Sequence, residues 1–108
     1  MKAVKEKFPS RPLDNLFLAI LKLDNLKLAR AFFRDLCTID ELKSMAERWE
    51  IVLLLNKGLS YRKIAGSLNV STTTVSRVAL WLYNGKGGYS EILKKISDHH
   101  SSRSRRKS

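Results

Sequence analysis

A chain of 108 residues with 44% apolar content has room for one small domain and a modest core. Its 21 lysines and arginines against 10 acidic residues give a net charge of +11 and a pI near 10.2, in the range of nucleic-acid binders. The sequence contains no apolar run of about 18 residues for a membrane span and no signal-peptide pattern, so a cytoplasmic protein is expected.

Residues 1–12 read as a basic, proline-containing lead to a helical domain over residues 13–97. Leu13, Leu16, Phe17, Ile20 and Leu21 recur at three- and four-residue steps, which predicts a first helix. Asp24 and Asn25 mark a break, and Leu26, Leu28, Ala29, Phe32, Phe33 and Leu36 carry a second. Both are unusually apolar for surface helices. Cys37 follows, with no cysteine to pair with and no metal-ligand spacing, and is expected to be a small buried core residue. A third helix begins at Thr38, which forms a capping box with Glu41 and leads through Leu42, Met45, Trp49, Val52 and Leu53 to a stop at Gly58.

Residues 60–83 carry the pattern that points to function. Ile64 and Leu68 place one apolar face on a short helix, and Ala65 is small enough for a second helix to cross closely. Asn69 stands where the chain must turn, in the left-handed conformation that Asn tolerates, and Ser71 then serves as an N-cap. Val70, Val75 and Val78 supply the opposing wall. The outward positions hold Thr72, Thr73, Thr74, Ser76 and Arg77, whose hydroxyls and guanidinium suit base edges and phosphates. Small Ala65, turning Asn69, apolar Val75 and a Thr/Ser/Arg outer face in one register make a DNA-binding helix-turn-helix, where an ordinary helical hairpin would need none of them together.

Charge distribution agrees. Residues 51–90 contain no acidic side chain, while Lys57, Arg62, Lys63, Arg77 and Lys86 are basic. The run Asn84-Gly85-Lys86-Gly87-Gly88 then breaks the helix, and Tyr89, Ile92, Leu93 and Ile96 indicate one last short helix, six in all. Residues 98–108 have no apolar side chain and read as a disordered basic tail, either a source of non-specific DNA affinity or simply a solvated terminus. His99 and His100 alone do not make a metal site.

The run Leu36-Cys37-Thr38-Ile39-Asp40-Glu41, Arg48 onward to Lys57-Gly58, and the helix-turn-helix with Arg77 resemble the tryptophan repressor superfamily. The segments Leu59-Ser60-Tyr61-Arg62-Lys63-Ile64-Ala65 and Tyr83-Asn84-Gly85-Lys86-Gly87-Gly88-Tyr89 are similar to its YerC/YecD-type branch of Trp-repressor-like proteins. The resemblance covers roughly residues 13–96. It implies an all-α, six-helix fold and an intertwined homodimer in which the first, second, third and last helices of two chains share a core. It further implies that Thr72, Thr73, Thr74 and Ser76 face the major groove of double-stranded DNA, with Arg62 and Lys63 approaching from the preceding helix; Tyr61, Ser71 and Arg77 complete the candidate DNA-binding residues. A two-fold dimer would set its recognition helices about 34 Å apart on a near-palindromic operator.

In the family's founding member, tryptophan lies between two arginines, which correspond to Arg48 and Arg77, with a threonine that corresponds to Thr38. Small residues beside the second arginine leave room for the indole. Here Val78 stands in place of a glycine and Trp81 in place of a serine, so the possible corepressor pocket is Thr38, Arg48, Arg77, Val78 and Trp81 with its space reduced. The expectation is no obligatory cofactor, with L-tryptophan or another small effector the open alternative and Trp81 filling the cavity itself. Trp49 and Trp81 equally read as core aromatics, and Arg48 as an exposed charge or a phosphate contact.

No glycine-rich phosphate loop, paired carboxylates or nucleophile with a base supports an enzyme. The sequence reads as a homodimeric, sequence-specific transcriptional regulator of double-stranded DNA, with repression the expected sign. A non-specific basic RNA- or DNA-associated structural protein is the alternative.

Overall fold

The structure, a computed structural model, describes residues 10–107, with side chains described as far as Asp98. Among the described residues there are six helices and no strand: α1 Arg11–Ile20, α2 Leu26–Leu36, α3 Ile39–Asn56, α4 Tyr61–Leu68, α5 Thr72–Asn84 and α6 Gly88–Lys107. The chain divides into two compact units, Met1–Leu42 and Lys43–Ser108.

Local chemistry accounts for the first unit. Ser10 accepts a hydrogen bond from the Leu13 N–H, and Pro12 sits in the first turn, where a missing N–H costs nothing. The helix therefore starts at Arg11, two residues before the boundary expected at Leu13; the remainder of the basic lead, residues 1–9, lies outside the described residues. Asn25 caps α2 by accepting from the Leu28 N–H at 2.8 Å. At the head of α3 the expected capping box closes in both directions: the Glu41 N–H donates to Thr38 Oγ1 at 3.1 Å, and the Thr38 N–H donates to Glu41 Oε1 at 2.8 Å. Neither α1 nor α2 contains a buried residue, and Leu18, Leu21, Leu26 and Leu36 are exposed. Cys37 is half-buried at the C-cap of α2 instead of inside a core, because the chain there is already extended and leaving the helix.

The core belongs to the second unit. Ile51, Val52 and Leu55 of α3, Ile64 and Ala65 of α4, and Val75, Val78, Ala79 and Leu82 of α5 form one buried cluster, edged by Trp49, Leu54, Leu59, Leu68, Val70, Tyr89 and Leu93. The buried positions of α5 follow helical spacing, so burial of that stripe fixes which side of the helix is left outside. Gly58 ends α3 with φ near +87°, the backbone that glycine takes without strain. Gly85 ends α5 for another reason: a Cβ there would run into the Trp81 carbonyl that accepts the Gly85 N–H at 2.9 Å.

The last helix is longer than the short one expected. It runs Gly88–Lys107, and the basic tail expected over residues 98–108 lies, after Asp98, outside the residues whose side chains are described. Ser90 Oγ donates to the Leu82 carbonyl and ties the start of α6 to α5.

The turn between α4 and α5 takes the form expected of it. Asn69 has φ 58° and ψ 48°, and its N–H bonds the Ala65 carbonyl. Left-handed backbone costs a residue with an ordinary Cβ about 1 kcal/mol or more, and Asn less. Asn69→Ala is expected to lower stability by about 1 kcal/mol, and Asn69→Gly to leave it near wild type, as read by urea unfolding. An alanine variant as stable as the glycine variant would show that the turn does not depend on this conformation.

Candidate nucleic-acid interface

Each helix of the motif starts on a serine cap. Ser60 Oγ accepts from the Lys63 N–H and Ser71 Oγ from the Thr74 N–H, both at 3.1 Å. These caps fix the first turns that carry the candidate contacts. Tyr61, Arg62 and Lys63 are all exposed in the first turn of α4. With Ile64 and Ala65 buried directly behind them, the basic turn is held on the surface by the core.

On α5 the buried stripe of Val75, Val78, Ala79 and Leu82 leaves Thr72, Thr73, Ser76 and Arg77 together on the exposed side. Thr74 differs from its neighbours. It is half-buried, its hydroxyl lies 3.0 Å from Ser71 Oγ, and it borders the space toward α3. Ser71 is exposed but is engaged in the cap. Two hydroxyls thus shape the turn, and three, Thr72, Thr73 and Ser76, stand outward beside the Arg77 guanidinium.

Between α3 and α5 lies a cavity of about 150 Å³ bordered by Ser44, Glu47, Arg48, Thr74, Arg77, Val78 and Trp81. It brings together Arg48, Arg77, Val78 and Trp81 of the pocket the resemblance implies. Thr38 belongs to the other unit, where it caps α3. Ser44 and Glu47 were not anticipated, though they stand four residues and one before Arg48, and Ser44 shares its helical face. The cavity is smaller than the about 300–1,000 Å³ usual for ligand sites. Val78 is fully buried beneath it, while Trp81 is 48% exposed. The Trp81 ring also borders a larger apolar groove of about 820 Å³ with Trp49, Gly85, Lys86, Gly88, Tyr89 and Ile92. There the Trp49 and Tyr89 rings stand 6.1 Å apart. Trp81 is therefore a wall between two spaces and not a core aromatic.

Among the described residues no group of three or more His, Cys, Asp or Glu side chains is placed to hold a metal, and no helix is long and apolar enough to cross a membrane.

A capped helix-turn-helix with an acid-free, hydroxyl-rich outer face defines the class of DNA-binding transcription regulators. The Trp repressor protein family model matches residues 11–97, and the chain belongs to that family. It is 39% identical over 93 residues to uncharacterized protein YerC of Bacillus subtilis (strain 168), covering 86% of this chain and 89% of that one. Among solved structures, it is similar to a TrpR-like protein from Eubacterium eligens ATCC 27750, with a TM-score of 0.78 and 36% identity over 82% of this chain and 92% of that one. A Staphylococcus aureus structure matches at a TM-score of 0.76 and 36% identity, over 82% and 88% of the two chains. The six-helix, all-α fold is that of Trp-repressor-like proteins.

Proposed function

We propose that this regulator reads a specific, near-palindromic duplex site as a homodimer and does so without a tryptophan corepressor, acting as a repressor. The observation that carries the sequence-specific part is the sorting of α5, with every buried position apolar and Thr72, Thr73, Ser76 and Arg77 on the open side. Hydroxyls and a guanidinium there can bond base edges, while Arg62 and Lys63 on α4 hold phosphates and set register.

The dimer reading is supported by α1 and α2. They carry Leu18, Leu21, Leu26, Leu28 and Leu36 at 45% exposure or more and bury no residue. Large apolar side chains left out of a single chain's core in such number are what a shared core would cover. Independence from tryptophan is supported by the cavity between Arg48 and Arg77, where Val78 and Trp81 leave too little space for an amino acid with an indole ring.

The test is selection of bound fragments from a genomic duplex library at about 150–200 mM salt, where non-specific phosphate binding is suppressed, with and without L-tryptophan. A palindromic site enriched in both conditions is the expected result. Enrichment only with tryptophan would restore the corepressor and remove that part of the reading. No enrichment in either condition would leave a non-specific nucleic-acid binder in its place.

A further inference from the structure

The outward side of α5 carries a large apolar residue that neither the core nor the hydroxyl contacts account for. With Val75, Val78, Ala79 and Leu82 as the buried stripe, the step of about 100° per helical residue puts Thr73, Arg77, Leu80 and Asn84 nearest the opposite side, with Ser76 at its edge. Leu80 is 56% exposed and lies outside both the core cluster and the apolar residues packed against it. The other large exposed rings of this helix have neighbours in the fold. Trp81 borders the groove shared with Tyr89 and Ile92, and Tyr83 borders a cavity with Ser90 and Leu93 of α6. The two-chain core that the resemblance implies is drawn from α1, α2, α3 and α6, so it makes no claim on the outer side of α5.

Single exposed leucines are common on protein surfaces, and what distinguishes this one is its register. Thr73, Ser76, Arg77 and Leu80 stand at i, i+3, i+4 and i+7 and are all exposed. That set covers about 10 Å of helix, or about three base steps of a duplex, the length over which a helix lying in the major groove meets base edges. No acidic residue occurs from residue 51 to residue 90, so nothing on this face repels phosphate as the helix enters. A leucine offers neither donor nor acceptor. The group in the major groove that such a side chain can tell apart is the 5-methyl of thymine.

We propose that Leu80 is a base-reading residue that packs on a thymine 5-methyl group and specifies thymine at one position of each half-site. The contact acts only at van der Waals range, so it operates when Thr72, Thr73, Ser76 and Arg77 hold α5 in the groove. It adds to their readout and does not sustain sequence preference alone. This inference rests on the duplex-DNA reading above and adds one residue to it.

The experiment uses the full chain and the duplex site that the library selection returns. Each thymine of a half-site, together with its two-fold mate, is replaced in turn by deoxyuridine, which removes the methyl and leaves base pairing intact. Wild type, Leu80→Ala and Leu80→Met are titrated against this series, with thermal melts as the control on the fold. At one thymine position the wild-type chain is expected to lose about fourfold in affinity for each methyl removed, and Leu80→Met to keep most of that loss. Leu80→Ala should bind the thymine and deoxyuridine forms of that position equally. Its melt, its salt slope and its response at other positions should match wild type, because neither a charge nor a buried side chain is altered. If no position senses its methyl through residue 80, or the selected site holds no thymine, the inference is overturned and the helix-turn-helix reading stands. A Leu80→Ala chain impaired only in occupying two adjacent sites would place the leucine between copies of this chain, which also overturns it. Recovery of no site at all overturns both.

Discussion

Ile64→Ala is expected to lower the free energy of unfolding by about 2–5 kcal/mol, and Ile64→Val by about 0.5–1.5 kcal/mol. Ile64 is fully buried, one of nine side chains in a core drawn from only three helices. Removing three of its carbons leaves a void between α4 and α5 that neighbours of fixed rotamer fill only in part. For a small domain whose whole stability is about 5–15 kcal/mol, that is a large fraction. The loss should reach function as well, since Ile64 stands directly behind Arg62 and Lys63 and against the helix that carries the hydroxyls. Urea unfolding at a fixed protein concentration measures it, with DNA binding followed over temperature. An alanine variant within about 1 kcal/mol of wild type would mean that the α4 and α5 interface is not what holds the motif in place.

The parts of the fold that were legible in the sequence are those set by a few adjacent residues. Ser71, Asn69 and the Thr38–Glu41 pair each specify one hydrogen-bonded end, and the structure has each where the spacing put it. Ser10 is the same kind of signal, obscured because Pro12 reads as a breaker unless it is recognised as tolerated in a first helical turn. Cys37 was placed inward on its average preference, yet its extended C-cap position leaves it half-exposed.

The candidate site was legible where it depends on periodicity and not where it depends on how helices cross. The alternation that buries Val75 and Val78 and exposes Thr73 and Ser76 is a property of α5 alone. That Thr74 turns toward α3, and that Ser44 and Glu47 join Arg48 and Arg77 around one cavity, requires the crossing of α3 and α5. Trp81 is instructive for the same reason. Its spacing fits a core aromatic, but the buried stripe of α5 passes through Val78, Ala79 and Leu82 and leaves the ring at the margin.

Replacing Thr72, Thr73 and Ser76 together by alanine is expected to erase sequence preference while sparing salt-dependent binding to any duplex. Each well-made base contact is worth about 1–3 kcal/mol of discrimination, so three removed hydroxyls should cut the ratio of specific to non-specific affinity on the order of a hundredfold or more. Alanine favours helix and none of the three positions is buried, so the fold should be unharmed and melting temperature serves as the control. Lys63→Ala gives the opposite signature. An exposed ammonium in the first turn of α4 that neutralises one phosphate should, when removed, weaken all duplexes alike and reduce the salt slope by about one unit, with the preferred site unchanged. The two variants separate the roles of the two helices within one binding assay. Preference that survives in the triple variant would take base readout away from the outer face of α5, and a shifted preference in Lys63→Ala would make α4 a reader of bases instead of a phosphate clamp.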